Sequence, residues 1–509
     1  MAIENNNKLI IRNTFFLAMR MVILLCISLY TSRVVLHVLG VVDYGIYNVV
    51  AGFVSMFSFL KSSMTNANQR YYNYELGKNG DEGVNNVYNT SLVIQACLAI
   101  VIVILTETVG LWYLYEKMVI PPDRFYAAFW IFQFSVISLV VVMFQIPYSA
   151  AVIAHEKMDY YAYVGIIDAV LKLLIALAIP YAKGDQLIVY GFLIFLISVV
   201  NWCLYFGYSR IHFKELKLHR RFHSGLFKGM LGFSAWNCFG IFSTIMREQG
   251  GNMMLNLFFG PVVNAARGIA YQVSGAMESV VLNVSVAARP QLVQSYAVGN
   301  TGRTINIMHG ISKLCYLCIL CVALPVIIEV DYVLKLWLGD VVPEHTNIFL
   351  VLVVMASLVR VFHPMTSHIV HATGKMRNFQ VVNGVLNLLT LPIAYLFLYQ
   401  GYEAYSIFVL FIIMNAVIQY VSWRVLHSLV PDFSVTKYLR QVILPLTIIT
   451  ALSIILPLLA HWGMESGFLR LMVVILLTVI STFITGYFIG INQSERELVV
   501  SYLRKFLKR

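Results

Sequence analysis

Fourteen stretches of about 20 predominantly apolar residues, each ended by a short polar or turn-forming break, leave this chain few ways to fold. Their approximate limits are 13–37, 45–66, 88–114, 125–153, 162–181, 186–209, 227–250, 254–287, 305–330, 347–372, 379–399, 403–428, 438–461 and 467–490. A helix of that length spans the hydrocarbon of a bilayer and satisfies its own backbone donors and acceptors there. The composition fits such use: 60% of the 509 residues are hydrophobic and only 12% are charged, against about half and a quarter in soluble domains. The breaks, such as Gly77-Lys78-Asn79-Gly80-Asp81-Glu82, Pro121-Pro122-Asp123, Lys183-Gly184-Asp185 and Leu338-Gly339-Asp340, leave no room for a soluble domain. The expected fold is an all-α integral membrane protein with about 14 transmembrane helices.

An even number of spans puts both termini on one side. Of the 36 Lys and Arg residues, about 22 fall on the side of the N-terminus, about six on the other and about eight in the spans, a positive-inside bias that makes both termini cytoplasmic. The densest cluster, Arg210, Lys214, Lys217, Arg220, Arg221 and Lys228, joins spans six and seven, and the tail carries Arg496, Arg504, Lys505, Lys508 and Arg509. Apolar residues recur at helical spacing in both (Phe213, Leu216; Val499, Tyr502, Phe506), so each reads as an amphipathic helix on an anionic leaflet. The net charge of +12 therefore needs no nucleic acid as a partner. The first apolar run is too long for a cleavable signal, so the N-terminus is expected to remain, held by Lys8 and Arg12.

The chain also resembles itself. Residues 147–168 carry Pro147, His155-Glu156-Lys157-Met158, Gly165 and Asp168, and residues 364–387 carry Pro364, Thr373-Gly374-Lys375-Met376, Gly384 and Asn387, an offset of 217 to 219. Leu36 and Gly40 match Leu255 and Gly260, and the segment ending at Gly80 matches the one ending at Gly302. A duplicated six-span unit accounts for these matches, and because six is even the copies insert as parallel repeats. The expected organisation is an N-terminal six-helix lobe at 1–209, a cytoplasmic amphipathic linker at 210–226, a second lobe at 227–430, and two accessory helices with a basic tail at 431–509. Two such lobes are expected to enclose a cavity and to open it alternately to each side.

Four cations fall well inside spans: Arg20, Arg267, Lys313 and Arg360. Each costs about 2.5 to 3.5 kcal/mol at a helix centre, about 10 to 14 kcal/mol together, which lipid-facing positions do not tolerate. Two readings are open: they line a water-filled cavity and attract an anionic substrate, or they pair with carboxylates and snorkel. Arg33, Lys61, Arg247 and Arg289 lie nearer span ends, where snorkelling is the default. The acids are fewer. Asp168 and Lys172 sit at i, i+4 and neutralise each other. Glu278 lies three turns from Arg267 on nearly the same helical face, Glu248 adjoins Arg247, and Glu107 is near an outer span end. Glu278, Asp168 and Glu248 are the candidates to bind a coupling proton or Na⁺, with structural ion pairing as the alternative. Around Arg360, the residues His363, Pro364, Ser367 and His371 follow one helical face, with Pro364 able to break the local backbone ladder; the face reads either as a cavity wall or, more commonly, as a kinked helix with satisfied core histidines.

Cys315-x-x-Cys318-x-x-Cys321 resembles part of an iron–sulfur run, yet it lies in an apolar helix without a fourth ligand, and His368-x-x-His371 has no neighbouring carboxylate or Cys. Packing residues account for both, and the other cysteines are scattered, so neither a metal nor a disulfide framework is expected. No P-loop, dinucleotide fingerprint or Ser/His/Asp arrangement occurs, so the chain is not expected to be an enzyme or to hold a cofactor other than a coupling ion.

Several segments, taken in order, resemble one transporter family. In the first half they are Thr31-Ser32-Arg33-Val34-Val35-Leu36, Leu39-Gly40, Asp43-Tyr44-Gly45-Ile46-Tyr47-Asn48, Asn68-Gln69-Arg70, Ile146-Pro147-Tyr148 and Ala154-His155-Glu156-Lys157-Met158. In the second they are Asn256, Phe259-Gly260-Pro261, Asn264-Ala265-Ala266, Pro290-Gln291 and Leu336-Trp337-Leu338-Gly339. This pattern is similar to the Wzx-type flippases of polysaccharide repeat units, in the superfamily that also holds the multidrug and toxin extrusion (MATE) transporters and the lipid II flippase. The resemblance implies two six-helix bundles in a V around a cationic lumen, with two peripheral helices. It implies translocation of an undecaprenyl-diphosphate-linked oligosaccharide (O-antigen, capsule or exopolysaccharide unit) to the outer leaflet of a bacterial cytoplasmic membrane, driven by an ion gradient. It also implies the bilayer and other polysaccharide-assembly proteins as partners. Arg and Lys in a low-dielectric cavity suit the diphosphate, so Arg20, Arg267, Lys313 and Arg360, chosen by depth in this sequence, are its expected contacts. Two alternatives are a multidrug exporter on the same fold, disfavoured by the excess of cations, and a membrane polymerase or ligase, disfavoured by the short outer loops.

Overall fold

The computed structural model describes residues 2–78, 80–155, 157–219 and 224–490. Among the described residues the regular structure is helical throughout. Contacts divide the chain into two compact units, Met1–Gly268 with Asn387–Ala404, and Ile269–Leu386 with Tyr405–Arg509.

The first unit holds α1 (Ala2–Ser55), α2 (Ser58–Lys78), α3 (Gly80–Leu105), α4 (Leu111–Glu116), α5 (Phe125–Ala154), α6 (Met158–Ala178), α7 (Gln186–His212), α8 (Ser224–Phe259) and the opening turns of α9 (Pro261–Ala297). The second holds the rest of α9, then α10 (Thr301–Ile328), α11 (Val330–Leu338), α12 (Thr346–Arg360), α13 (His363–Thr373), α14 (Arg377–Tyr399), α15 (Ser406–Leu429), α16 (Val435–Tyr438), α17 (Leu444–Ser453), α18 (Ile455–Gly463) and α19 (Phe468–Thr485). The last part of α14, from Asn387, groups with the first unit.

Eleven of these stretches, among the described residues, are long and apolar enough to cross a membrane, against the fourteen expected. Expected spans one and two both run into the single stretch Cys26–Ser55, and α8 and α9 are long enough but interrupted by polar residues such as Arg247, Asn252, Asn264, Arg267 and Glu278. Several of those side chains are buried against protein, which is why hydropathy alone misjudges the helices that carry them. The outer surface is the reverse. Leu469 and Phe483 are 70 and 71% exposed, and large uncovered apolar side chains on spans of this length are what a bilayer solvates.

Two segments differ from the sequence reading. The second span does not stop at 66: α2 continues to Lys78, because Met64, Ala67, Asn68 and Tyr72 turn inward and are buried. Residues 213–219 of the linker are not helical, although Phe213 and Leu216 are buried in the core of the first unit. The basic tail from 491 onward lies outside the described residues, as do Arg220 and Arg221. Arg247, placed at a snorkelling position, is instead 3% exposed.

The duplication recurs in the backbone. Gly40 (φ 76°) breaks α1 and Gly260 (φ 79°) separates α8 from α9, at matching positions of the repeat. Gly80 and Gly299, then Gly184 and Gly401, are further positive-φ glycines near the same offset. Only glycine enters that region without a Cβ penalty, so the corners where helices turn over are preserved as glycine.

Candidate functional site

A region that combines an ion pair with a broken helix lies in the second unit. Thr346–Thr373 is one candidate span, and Arg360 lies near its middle. Pro364, four residues on, has no N–H for the Arg360 carbonyl and its ring presses on that carbonyl, so α12 ends at Arg360 and α13 begins at His363. The expected break at Pro364 is therefore present, and it sits beside the charge.

The Arg360 guanidinium forms an ion pair with Glu278 of α9, with side chains 24 and 44% exposed respectively. Glu278 also accepts from Ser274 Oγ at 3.2 Å, and Ser274 and Ser357 share a hydrogen bond of 2.9 Å. A lone charge within a span costs several kcal/mol, which a carboxylate partner and its hydrogen bonds offset in part. One expected substrate residue and one expected coupling residue are thus brought together.

The other expected residues lie elsewhere. Arg267 is 6% exposed and donates from Nη2 to the backbone carbonyl of Glu248 at 2.7 Å, both in the first unit. Lys313 is equally buried, on α10, and donates to the Gly490 carbonyl at 2.9 Å. Asp168 accepts from Lys172 at 2.7 Å and from Asn201 Nδ2 at 2.7 Å, so both of its oxygens are engaged. Glu107 accepts from Gln133 at 3.3 Å. The side chain of Arg20 lies outside the described residues. Among the described residues no group of three or more His, Cys, Asp or Glu side chains is arranged to hold a metal.

Two arrangements escaped the sequence reading. Arg124 bridges Asp43 and Asp185 from three separate segments: Nε to Asp43 Oδ1 at 2.7 Å and Nη1 to Asp185 Oδ2 at 2.6 Å. Burial opposes ionisation of Asp185, but Arg124 and the N–H groups of Ile188 and Leu187 outweigh it and hold the carboxyl below its ordinary value. The second is a seam between the part of α1 after Gly40 and the α8–α9 corner. A Cβ on Gly45 would lie 1.9 Å from the Pro261 carbonyl oxygen, so the backbones touch. Asn252 donates to Asn48 O at 3.1 Å, and Asn264 donates to Asn252 O and Oδ1 at 2.7 and 2.8 Å. The Asp43-Tyr44-Gly45 and Phe259-Gly260-Pro261 segments, legible as motifs, are therefore packing partners.

No family model matches the sequence, and no curated protein does. Solved structures do. A lipid II flippase MurJ in an inward closed conformation superposes with a TM-score of 0.73 at 12% identity, covering 93% of this chain and 98% of that one. An inward-facing MATE-family multidrug resistance transporter of the MOP superfamily gives 0.68 at 14% identity, covering 80% and 96%. A MOP superfamily transporter from Pyrococcus furiosus, described as having a binding pocket of reversed polarity, gives 0.55 at 13% identity, covering 82% and 94%. At these identities the likeness concerns the fold: this chain has the multi-span helical fold that MATE and MurJ transporters of the MOP superfamily share.

Proposed function

We propose that this protein is a flippase that moves a polyprenyl-diphosphate-linked oligosaccharide from the inner to the outer leaflet of a bacterial cytoplasmic membrane by alternating access, without covalent chemistry. The observation that supports this most directly is the Arg360–Glu278 pair, partly exposed in mid-span beside a broken helix. A guanidinium there suits phosphate oxygens, which it meets with two parallel hydrogen bonds. In this reading the diphosphate competes with Glu278 for Arg360, and a proton or Na⁺ taken up by Glu278 frees the guanidinium. Cargo and coupling ion then share one pair of residues. In this reading both termini lie in the cytoplasm.

The second reading is export of an organic cation. It is favoured by one observation: Glu278 is the more exposed member of the pair. Reconstitution in proteoliposomes separates the two. The expected result is movement of a polyprenyl-diphosphate oligosaccharide that is reduced at least tenfold by Arg360→Ala, with no efflux of a fluorescent organic cation. Cation efflux abolished by Glu278→Gln but untouched by Arg360→Ala would establish the exporter instead.

A further inference from the structure

Away from the Arg360–Glu278 pair, and sharing no residue with it, the second unit contains a cavity of about 580 Å³ lined by Lys313, Lys437 and Arg440 together with Ser434, Thr436 and Gln441. Among the described residues no carboxylate lines it. Three cations around one space repel one another, and the hydroxyl and amide groups interleaved with them are hydrogen-bond donors. Both properties favour an anion with several oxygens.

Position narrows the choice. Lys437 and Arg440 are exposed and stand on the opening turns of the candidate span Val435–Gly463, where a membrane helix leaves the headgroup layer. Lys313 closes the inner wall. It is 6% exposed, within the span Thr301–Ile328, and its bond to the Gly490 carbonyl at 2.9 Å fixes its position. Cations at two depths, opening at the level of the headgroups, match a phosphate carried by a lipid, and basic pockets between transmembrane helices bind such headgroups. We propose that this cavity binds a phosphate oxyanion supplied by an anionic phospholipid of the surrounding bilayer, as a site separate from the transport pathway.

The test uses the full-length protein in neutral phosphatidylcholine micelles, titrated with phosphatidylglycerol and followed by the thermal unfolding midpoint and by lipid adducts in native mass spectrometry. A Lys437→Gln/Arg440→Gln variant is compared with wild type and with Lys117→Gln/Lys183→Gln, which removes the same charge from two exposed positions outside the spans. Wild type and this control variant should be stabilised alike. The cavity variant should need about 30-fold more phosphatidylglycerol, at about 1 kcal/mol per cation. Lys437→Gln alone, on an exposed side chain, should show a shift of about fivefold and keeps the test open if the double variant does not fold. A parallel titration with inorganic phosphate and pyrophosphate separates the sources: stabilisation of wild type by these, lost in the cavity variant, supports the oxyanion site but overturns the lipid as its source. An equal phosphatidylglycerol response in the cavity variant and wild type overturns the proposal.

Discussion

Glu278 of α9 and Arg360 of α12 hold opposite charges together at the point where Pro364 interrupts the second helix. Removing one partner leaves a charge without its counter-ion at membrane depth, whereas exchanging them keeps the pair. Arg360→Ala and Glu278→Ala should therefore each lower transport at least tenfold, and the exchange Arg360→Glu/Glu278→Arg should recover expression and thermal stability. Because the exchange moves the guanidinium to another helix, transport should stay low. Recovery of both stability and transport would show that only the pair's neutrality matters.

Asp185 both receives Arg124 and caps α7, accepting from Leu187 N at 3.0 Å and Ile188 N at 3.2 Å. Asp185→Ala should cost about 1 to 3 kcal/mol through the lost cap and the lost pair. Its carboxyl is held below the ordinary 3.8 in the folded state. The stabilisation is therefore fully present above that value and is lost as pH falls through the lower folded value. Denaturant unfolding of wild type and variant should differ most near pH 7 and converge towards pH 2; a gap of constant size would assign the effect to the cap geometry alone.

Much of the fold was legible because hydrophobic runs and glycine corners are local signals. Gly40 and Gly260 stood out as matched positions before any φ was known, and Pro364 announced the break beside Arg360. Pairings between distant segments are not local. Along the sequence Glu278 aligns with Arg267 on the same helix, whereas the guanidinium it pairs with comes from α12. Nothing local marks Arg124, because its two acids lie on segments far away in sequence. In α8 and α9 the apolar runs are interrupted by buried polar side chains such as Asn252 and Asn264, which lower the helices' hydropathy without facing lipid.

Gly45 is a position where size alone decides. The nearest atom to an added Cβ is a backbone carbonyl oxygen, which has no rotamer to move away. Gly45→Ala should force the α1 and α8–α9 backbones apart and lower stability by about 1 to 3 kcal/mol. Gly40→Ala tests a different cause, the left-handed φ, and should cost about 1 to 2 kcal/mol with no new contact, since open space surrounds its Cβ position. Thermal unfolding of the two single variants and the double variant should give separately additive losses.

Glu329 holds the accessory helices to α10. Its side chain is fully buried and accepts from Arg470 Nη2 at 2.7 Å and from His461 Nδ1 at 2.7 Å, so it joins the end of α10 to α18 and α19. Arg470→Leu removes the permanent charge and leaves the carboxylate facing a histidine that is cationic only when protonated, which should cost about 3 to 5 kcal/mol. Pairing it with Glu329→Gln removes the stranded charge as well, and should recover most of the loss. With losses counted as positive, the interaction energy from this double-variant cycle, read from thermal unfolding in detergent, should therefore be large and negative. Simple additivity of the two single losses would mean that the accessory helices are held by their apolar packing, with the ion pair contributing nothing to their attachment.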